Sequence, residues 1–283
     1  MHVPESSWVL PKSTIAIVGG TGRMGRVLVR LFQPSRARIV LCSRNPRKAK
    51  RSCQYLGVKT RSQDDVQDAD VVVVSVPIEK TVTTCKRLLK KMKPRSLLID
   101  VTSVKKGIVN NITVNVPETI EYLSLHPLFG PETQNLKGEN VLAINPKTGP
   151  LSKTILNFLS RSGLKTSHVT IDEHDRKTAI TQALHHFAYA SLATCMMKLM
   201  RKPDFQKYST RSLKNTIELI QFFSNNLDTI MEIQKKNPYA ADARRAFAQT
   251  VSELSRMENR TARQITSRMR MFGNMKMRVS NQT

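Results

Sequence analysis

Residues 15–25 read Ile-Ala-Ile-Val-Gly-Gly-Thr-Gly-Arg-Met-Gly, four apolar residues running into a glycine cluster. Gly20, Gly22 and Gly25 keep a G-x-G-x-x-G spacing, which reads as a buried strand, a tight turn and the start of a helix. Gly20 is expected to allow the turn. Gly22 leaves no Cβ between the backbone and a pyrophosphate, and Gly25 lets the helix pack on the strand. The amides of a helix start form an anion site, so Gly20, Thr21, Gly22, Arg23, Met24 and Gly25 are candidates for cradling a dinucleotide. A glycine-rich turn can also be only a turn, and the rest of the chain must decide between the two.

Outward from that stretch, apolar runs alternate with helical spacing. Strands are expected at Thr14–Val18, Arg38–Cys42, Val58–Thr60, Val71–Val76, Ser96–Val101, Tyr122–Leu125, Asn140–Asn145 and Lys165–Val169. Helices are expected at Gly25–Phe32, Lys48–Leu56, Thr81–Met92 and Leu151–Ser162. The near-continuous valines of 71–76 suit a strand buried on both faces. Such alternation predicts an α/β fold, a Rossmann-type, mostly parallel sheet. After Asp172 the rhythm changes: Thr178–Met200, Leu213–Gln234 and Ala240–Met269 read as long helices separated by Pro203 and Pro238. This half is an all-helical domain, with Leu184, Phe187, Leu192, Ile217 and Ile220 on its buried faces and roles in closing a substrate cleft or forming a dimer. The expected division is an N-terminal extension at 1–12, a dinucleotide-binding domain at 13–171, and a helical domain with a basic tail at 172–283.

The 283 residues suffice for two ordinary domains. Apolar runs are too short to span a bilayer, and MHVPESSWVLPK lacks the pattern of a secretion signal. Four scattered cysteines, none in a C-x-x-C pair, favour thiols in a reducing, cytoplasmic setting over disulfides or a metal site. The net charge of +25 predicts attraction to polyanions. Its basic residues are dispersed and not interleaved with aromatics, so specific nucleic-acid binding is not expected. From Arg244 to Thr283 nine Lys or Arg face two Glu, a solvated helix and tail.

Strand ends are where a doubly wound sheet displays chemistry. The second strand ends in Ser43-Arg44-Asn45-Pro46-Arg47-Lys48. An acidic residue would repel a ribose 2′-phosphate, whereas Ser43 and Arg44 can bind it, which favours NADP over NAD; alternatively the arginines only add surface charge or stack on the adenine. Ser75, Val76 and Pro77 fall on the nicotinamide side. The next strand ends in Thr102, Ser103 and Lys105, and His126 follows another strand in a Pro- and Gly-bounded loop. A histidine there can orient or deprotonate a substrate hydroxyl while hydride leaves its carbon. His174 and His186, twelve residues apart on a helix, cannot share a small metal site, and no histidine cluster has zinc spacing.

With these residues located, the chain resembles the prephenate/arogenate dehydrogenase family of tyrosine biosynthesis. The resemblance is carried in order by VGGTGRMG (18–25), VVSVPI (73–78), IDVTSVKKG (99–107), SLHPLFGPE (124–132) and EHDRKTAITQALHHFAYA (173–190). It implies oxidative decarboxylation of a cyclohexadienyl substrate, giving 4-hydroxyphenylpyruvate from prephenate or tyrosine from arogenate, and a homodimer formed through the helical domain. It further implies that His126 is the catalytic histidine, that Ser103 orients the hydroxyl or His126, and that His174 and His186 line or support the substrate side. The family's carboxylate-binding arginine aligns with Gln221, and a neutral amide cannot replace a bidentate fork. Four readings follow: Arg211 or another basic residue takes over, the alignment slips by a turn, the substrate differs, or the activity is weak. No chorismate mutase domain or added regulatory domain is expected, and MHVPESSWVLPK resembles the linker of fused enzymes.

Overall fold

The computed structural model describes residues 10, 12–256 and 259–274. The chain divides into two compact units, between His174 and Asp175. Most of the expected N-terminal extension and the last nine residues of the basic tail lie outside the described residues.

The first unit is one eight-stranded sheet with helices interleaved along the chain. Its elements are β1 (Thr14–Val18), α1 (Arg23–Phe32), β2 (Arg38–Ser43), α2 (Pro46–Ser52), β3 (Lys59–Ser62), β4 (Val71–Val74), α3 (Ile78–Leu89), β5 (Leu97–Asp100), α4 (Lys106–Thr113), β6 (Glu121–Pro127), β7 (Asn140–Lys147), α5 (Pro150–Arg161) and β8 (Lys165–His168), and the division falls within α6 (Ile171–Thr178). The spatial order is β3-β2-β1-β4-β5-β6-β7-β8. Every pairing is parallel except β6 with β7. The order reverses between β1 and β4, so the crevice of such a sheet opens beyond the ends of those strands.

Every residue of β1, β4 and β5 is buried, which is why these strands read as continuous apolar runs rather than as alternation. Ile15, Ile17, Val73, Ile99 and Leu123 meet Val27, Leu28 and Phe32 of α1 and Phe158 of α5 in one core. Phe32 stacks on Phe158 with ring centroids 5.6 Å apart.

The second unit is helical. The expected helix at 178–200 is interrupted: α6 runs into a π-helical turn at Ala179–Leu184, followed by α7 (His185–Leu199). Beyond lie α8 (Lys202–Tyr208), α9 (Arg211–Ser224), α10 (Leu227–Lys236), α11 (Ala240–Leu254) and α12 (Asn259–Gly273). The expected helices at 213–234 and 240–269 are likewise split, at Asn225–Asn226 and after Leu254. Among the described residues no side chain of α7 or α9 is fully buried. Leu192, expected in the core, is 43% exposed, because α7 presents apolar residues that its own chain does not cover. No helix among the described residues is long and apolar enough to cross a membrane.

Candidate active site

The turn after β1 shows why glycines are needed there. Gly19 has φ +83°, and a Cβ on it would lie 2.2 Å from the Ser75 carbonyl oxygen. Gly19, not Gly20, therefore makes the turn. A Cβ on Gly25 would stand 2.5 Å from the Gly20 Cα, so only glycine lets α1 seat against the turn. Gly22 is the N-cap of α1, with extended backbone and no side-chain cap, and the first turn carries no acidic residue. A cradle that a Cβ would fill, beside a helix start without a capping side chain, suits a dinucleotide pyrophosphate.

Ser75 N–H donates to the Val18 carbonyl at 2.8 Å, bringing the end of β4 beside the glycine turn. Ser75 and Val76 are half-buried and Pro77 is exposed. At the end of β2, Ser43 Oγ accepts from Asn45 N–H at 3.3 Å, and Arg44 and Arg47 are exposed. Arg23, at the start of α1, forms an ion pair with Glu132 in the loop after β6. Thr21 and Met24 are half-buried.

A buried polar centre lies behind the end of β6. His126 is 2% exposed and His174 1%, and His126 Nδ1 lies 2.8 Å from His174 Nε2. One ring donates and the other accepts, so at least one nitrogen of this contact lacks a proton. Burial, the neighbouring His174 and the charge of Lys105 together hold the His126 pKa well below 6.5. His126 is therefore a neutral base at physiological pH.

Lys105 and Asp100 are both fully buried, with Nζ 3.2 Å from Oδ1. Burial alone would raise the Asp100 pKa, but the Lys105 charge and hydrogen bonds from Ser124 and Thr102 outweigh it and keep the carboxyl ionised. Tyr122 donates its hydroxyl to Asp100 Oδ2 at 2.8 Å, and burial followed by that carboxylate pushes the phenol's pKa up.

The second unit carries its own aromatic and histidine cluster. His186 lies with its ring centroid 4.8 Å from that of Phe223, and His185 lies 5.4 Å from the same ring. Tyr189 closes the group at 5.7 Å. The π-helical turn just before His185 alters the helical phase of these rings. Gln234 of α10 donates Nε2–H to the Ala183 carbonyl in this turn at 2.6 Å, and Asn237, the C-cap of α10, donates Nδ2–H to the Asp175 carbonyl of α6 at 2.9 Å. His186 Nδ1 is buried and has no hydrogen-bond partner among the described residues. Its pKa is lowered to about 4, by burial first and then by His185.

Comparison with known proteins fits this architecture. Two family models match, "Prephenate dehydrogenase, nucleotide-binding domain" over residues 32–142 and "Prephenate dehydrogenase, dimerization domain" over residues 170–271. The chain belongs to the prephenate/arogenate dehydrogenase family. The glycine turn precedes the first match, so its geometry is an independent observation. A probable arogenate/prephenate dehydrogenase of Methanocaldococcus jannaschii is 27% identical over 250 residues, 86% of this chain and 56% of that protein. The Saccharomyces cerevisiae prephenate dehydrogenase [NADP(+)] is 22% identical over 262 residues, 88% of this chain and 58% of its own length. The chain thus spans about half the length of the curated relatives it matches. The fold resembles that of the A. aeolicus prephenate dehydrogenase solved with hydroxyphenyl propionate and NAD+, with TM-score 0.79, 19% identity, and coverage of 93% of this chain and 97% of that one.

Of the expected family residues, His126 and His174 are brought together, His174 standing where the chain divides into its two units. Ser103 is half-buried in the loop between β5 and α4. Gln221 is exposed on α9, two residues from Phe223 and therefore on a different helical face from the His186 cluster. Arg211, exposed at the first turn of the same helix, stands about 15 Å from Gln221 along the axis and cannot take its place within one chain. Sequence reading named Lys105 but missed its burial against Asp100. The available signal was a lysine five residues after the carboxylate ending a wholly apolar strand. Among the described residues no group of His, Cys, Asp or Glu is placed to hold a metal.

Proposed function

We propose that this chain is an NAD(P)-dependent prephenate dehydrogenase. The observation that carries the reading is a neutral His126, buried against His174 at the end of β6, in the same unit as a glycine turn shaped for a pyrophosphate. Nδ1 of His126 is engaged by His174, so Nε2 is assigned to the substrate hydroxyl.

The glycine turn would hold the dinucleotide, which would supply the acceptor for the hydride on the ring carbon that carries the hydroxyl. His126 takes the hydroxyl proton as that hydride leaves. The bond to the ring carboxylate then breaks, carbon dioxide departs, and the electron pair completes the aromatic ring. The proton returns from His126 to the phenolic oxygen, so no net proton is lost. Aromatisation supplies much of the driving force, leaving orientation and proton handling to the protein.

Ser103 orients the same hydroxyl or His126, and His186, whose buried Nδ1 has no partner among the described residues, lines or supports the substrate side. Ser43 and Arg44 favour NADP, as the name of the yeast relative suggests, while the A. aeolicus structure holds NAD+. The dimerization-domain match and the open faces of α7 and α9 support a homodimer. Four free cysteines support a reducing, cytoplasmic setting.

The test is reduction of NADP and of NAD by the purified protein with prephenate and with arogenate. The two substrates differ only in a keto or amino group, so the arms separate the prephenate reading from arogenate oxidation. No reduced cofactor with either substrate rejects the enzyme reading and leaves a catalytically weak relative, the outcome that Gln221 in place of arginine would favour.

A further inference from the structure

A lysine ammonium buried without need is costly, and a buried ion pair is at best neutral against apolar residues of the same volume. Lys105 therefore calls for an account beyond stability. Its Nζ donates to Ser124 Oγ at 2.8 Å and to the Leu125 carbonyl oxygen at 2.7 Å. These are the two residues immediately before His126. Asp100, which neutralises Lys105, accepts from Tyr122 further back on the same strand and from the backbone N–H and hydroxyl of Thr102. The ion pair thus grips β6 at Tyr122, Ser124 and Leu125.

We propose that Lys105 is a positioning residue for His126, its ammonium pinning the Leu125 carbonyl and so fixing the direction in which the histidine leaves the strand. The inference rests on the reading of His126 as the group that handles the substrate hydroxyl. A second effect accompanies the first. The titratable groups that act on the His126 ring are His174, from α6, and Lys105, with Asp100 as the counter-charge. Lys105 opposes a second positive charge and so keeps the ring neutral.

The experiment uses the full chain with Lys105→Met, and with Asp100→Asn/Lys105→Met, which removes both charges and avoids a stranded carboxylate. Three quantities are read in each folded variant: kcat and KM, the cofactor Kd, and the protonation of His126 followed by nitrogen NMR with His126→Asn as the assignment control. The expected result is a fall in kcat of about 10- to 100-fold with KM changed by less than about threefold and cofactor Kd unchanged. The His126 titration moves up. A structural role alone would lower the yield of folded protein and leave kcat per folded molecule as it was. Unchanged kcat in a folded variant overturns the proposal, whatever the titration does. If the unaltered protein turns over neither substrate, the proposed function fails, and the titration, which needs no substrate, judges Lys105 by itself. An unshifted His126 then overturns the positioning role.

Discussion

The two units hold their histidines in opposite ways. In the first, His126 is closed in by His174 and by a strand that Lys105 and Asp100 grip from behind, all buried within one chain. In the second, His185 and His186 sit on a helix with no fully buried residue, and Leu192, Met197 and Leu199 on the same helix are 43%, 62% and 81% exposed. The first unit completes its own core and its own polar network. The second displays apolar surface that a single chain leaves uncovered, which is what a dimerization domain requires. Chemistry that needs a fixed, dry base belongs to the first kind of environment, and substrate contacts can be spread over the second.

The largest difference is expected in turnover. His126→Asn should lower kcat by about 100- to 10,000-fold, the range of a lost general base, with the cofactor Kd unchanged. His186→Asn should lower kcat/KM by only about 10-fold and mostly through KM, as for one hydrogen bond to substrate. Steady-state kinetics on the two variants decides this. Equal losses in kcat would erase the distinction between a base and a contact.

A smaller contrast is expected in stability. Ile99, at the centre of β5, is wholly buried, and Ile99→Ala should lower the unfolding free energy by about 2–5 kcal/mol. Leu192→Ala should lower it by less than about 1 kcal/mol in dilute solution, since little area is lost from a half-exposed side chain. The Leu192 effect should grow with protein concentration as a second copy covers α7, which denaturation at several concentrations would show. A Leu192 effect that is large and independent of concentration would mean that the unit completes its core alone.

The same contrast marks what could be read from sequence. The valine run at 71–74 and the apolar runs of β1 and β5 announce a parallel sheet because strands buried on both faces admit few polar residues. The motif spacing placed the glycine turn to within a residue, whereas His126, read as following its strand in a loop, lies buried inside β6. Three features were hidden for physical reasons. Gly19 makes the turn, and a doubled glycine does not say which member takes positive φ. His126 and His174 meet across 48 residues of chain, a pairing that only the folded sheet creates. Lys105 stands beside Lys106 and reads as surface charge, because burial of an ammonium depends on a partner that proximity in sequence does not reveal. In the helical unit, faces left uncovered within one chain carry the periodicity of a core, which is why Leu192 was expected to be buried.

The smallest expected effect is on the pH dependence of stability, and its sign follows from the two histidine environments. Above 6.5 both rings are neutral in the folded and unfolded chains, and neither contributes a slope. As pH falls below 6.5 the unfolded chain takes up protons that the folded chain refuses, so stability is lost as pH drops. For His186 this window closes at about 4. For the more deeply buried His126 it extends from 6.5 downward, held open by burial, His174 and Lys105. One proton of difference gives a slope of at most about 1.4 kcal/mol per pH unit, and the less buried His186 supplies less of it because solvent screens the ring. Urea unfolding at about pH 7, 6 and 5 should therefore show a slope that flattens more in His126→Asn than in His186→Asn. A slope in His126→Asn equal to that of the unaltered protein would mean that His126 is protonated as readily in the folded chain as in the unfolded one, and the neutral base on which the proposed proton transfer depends would be lost.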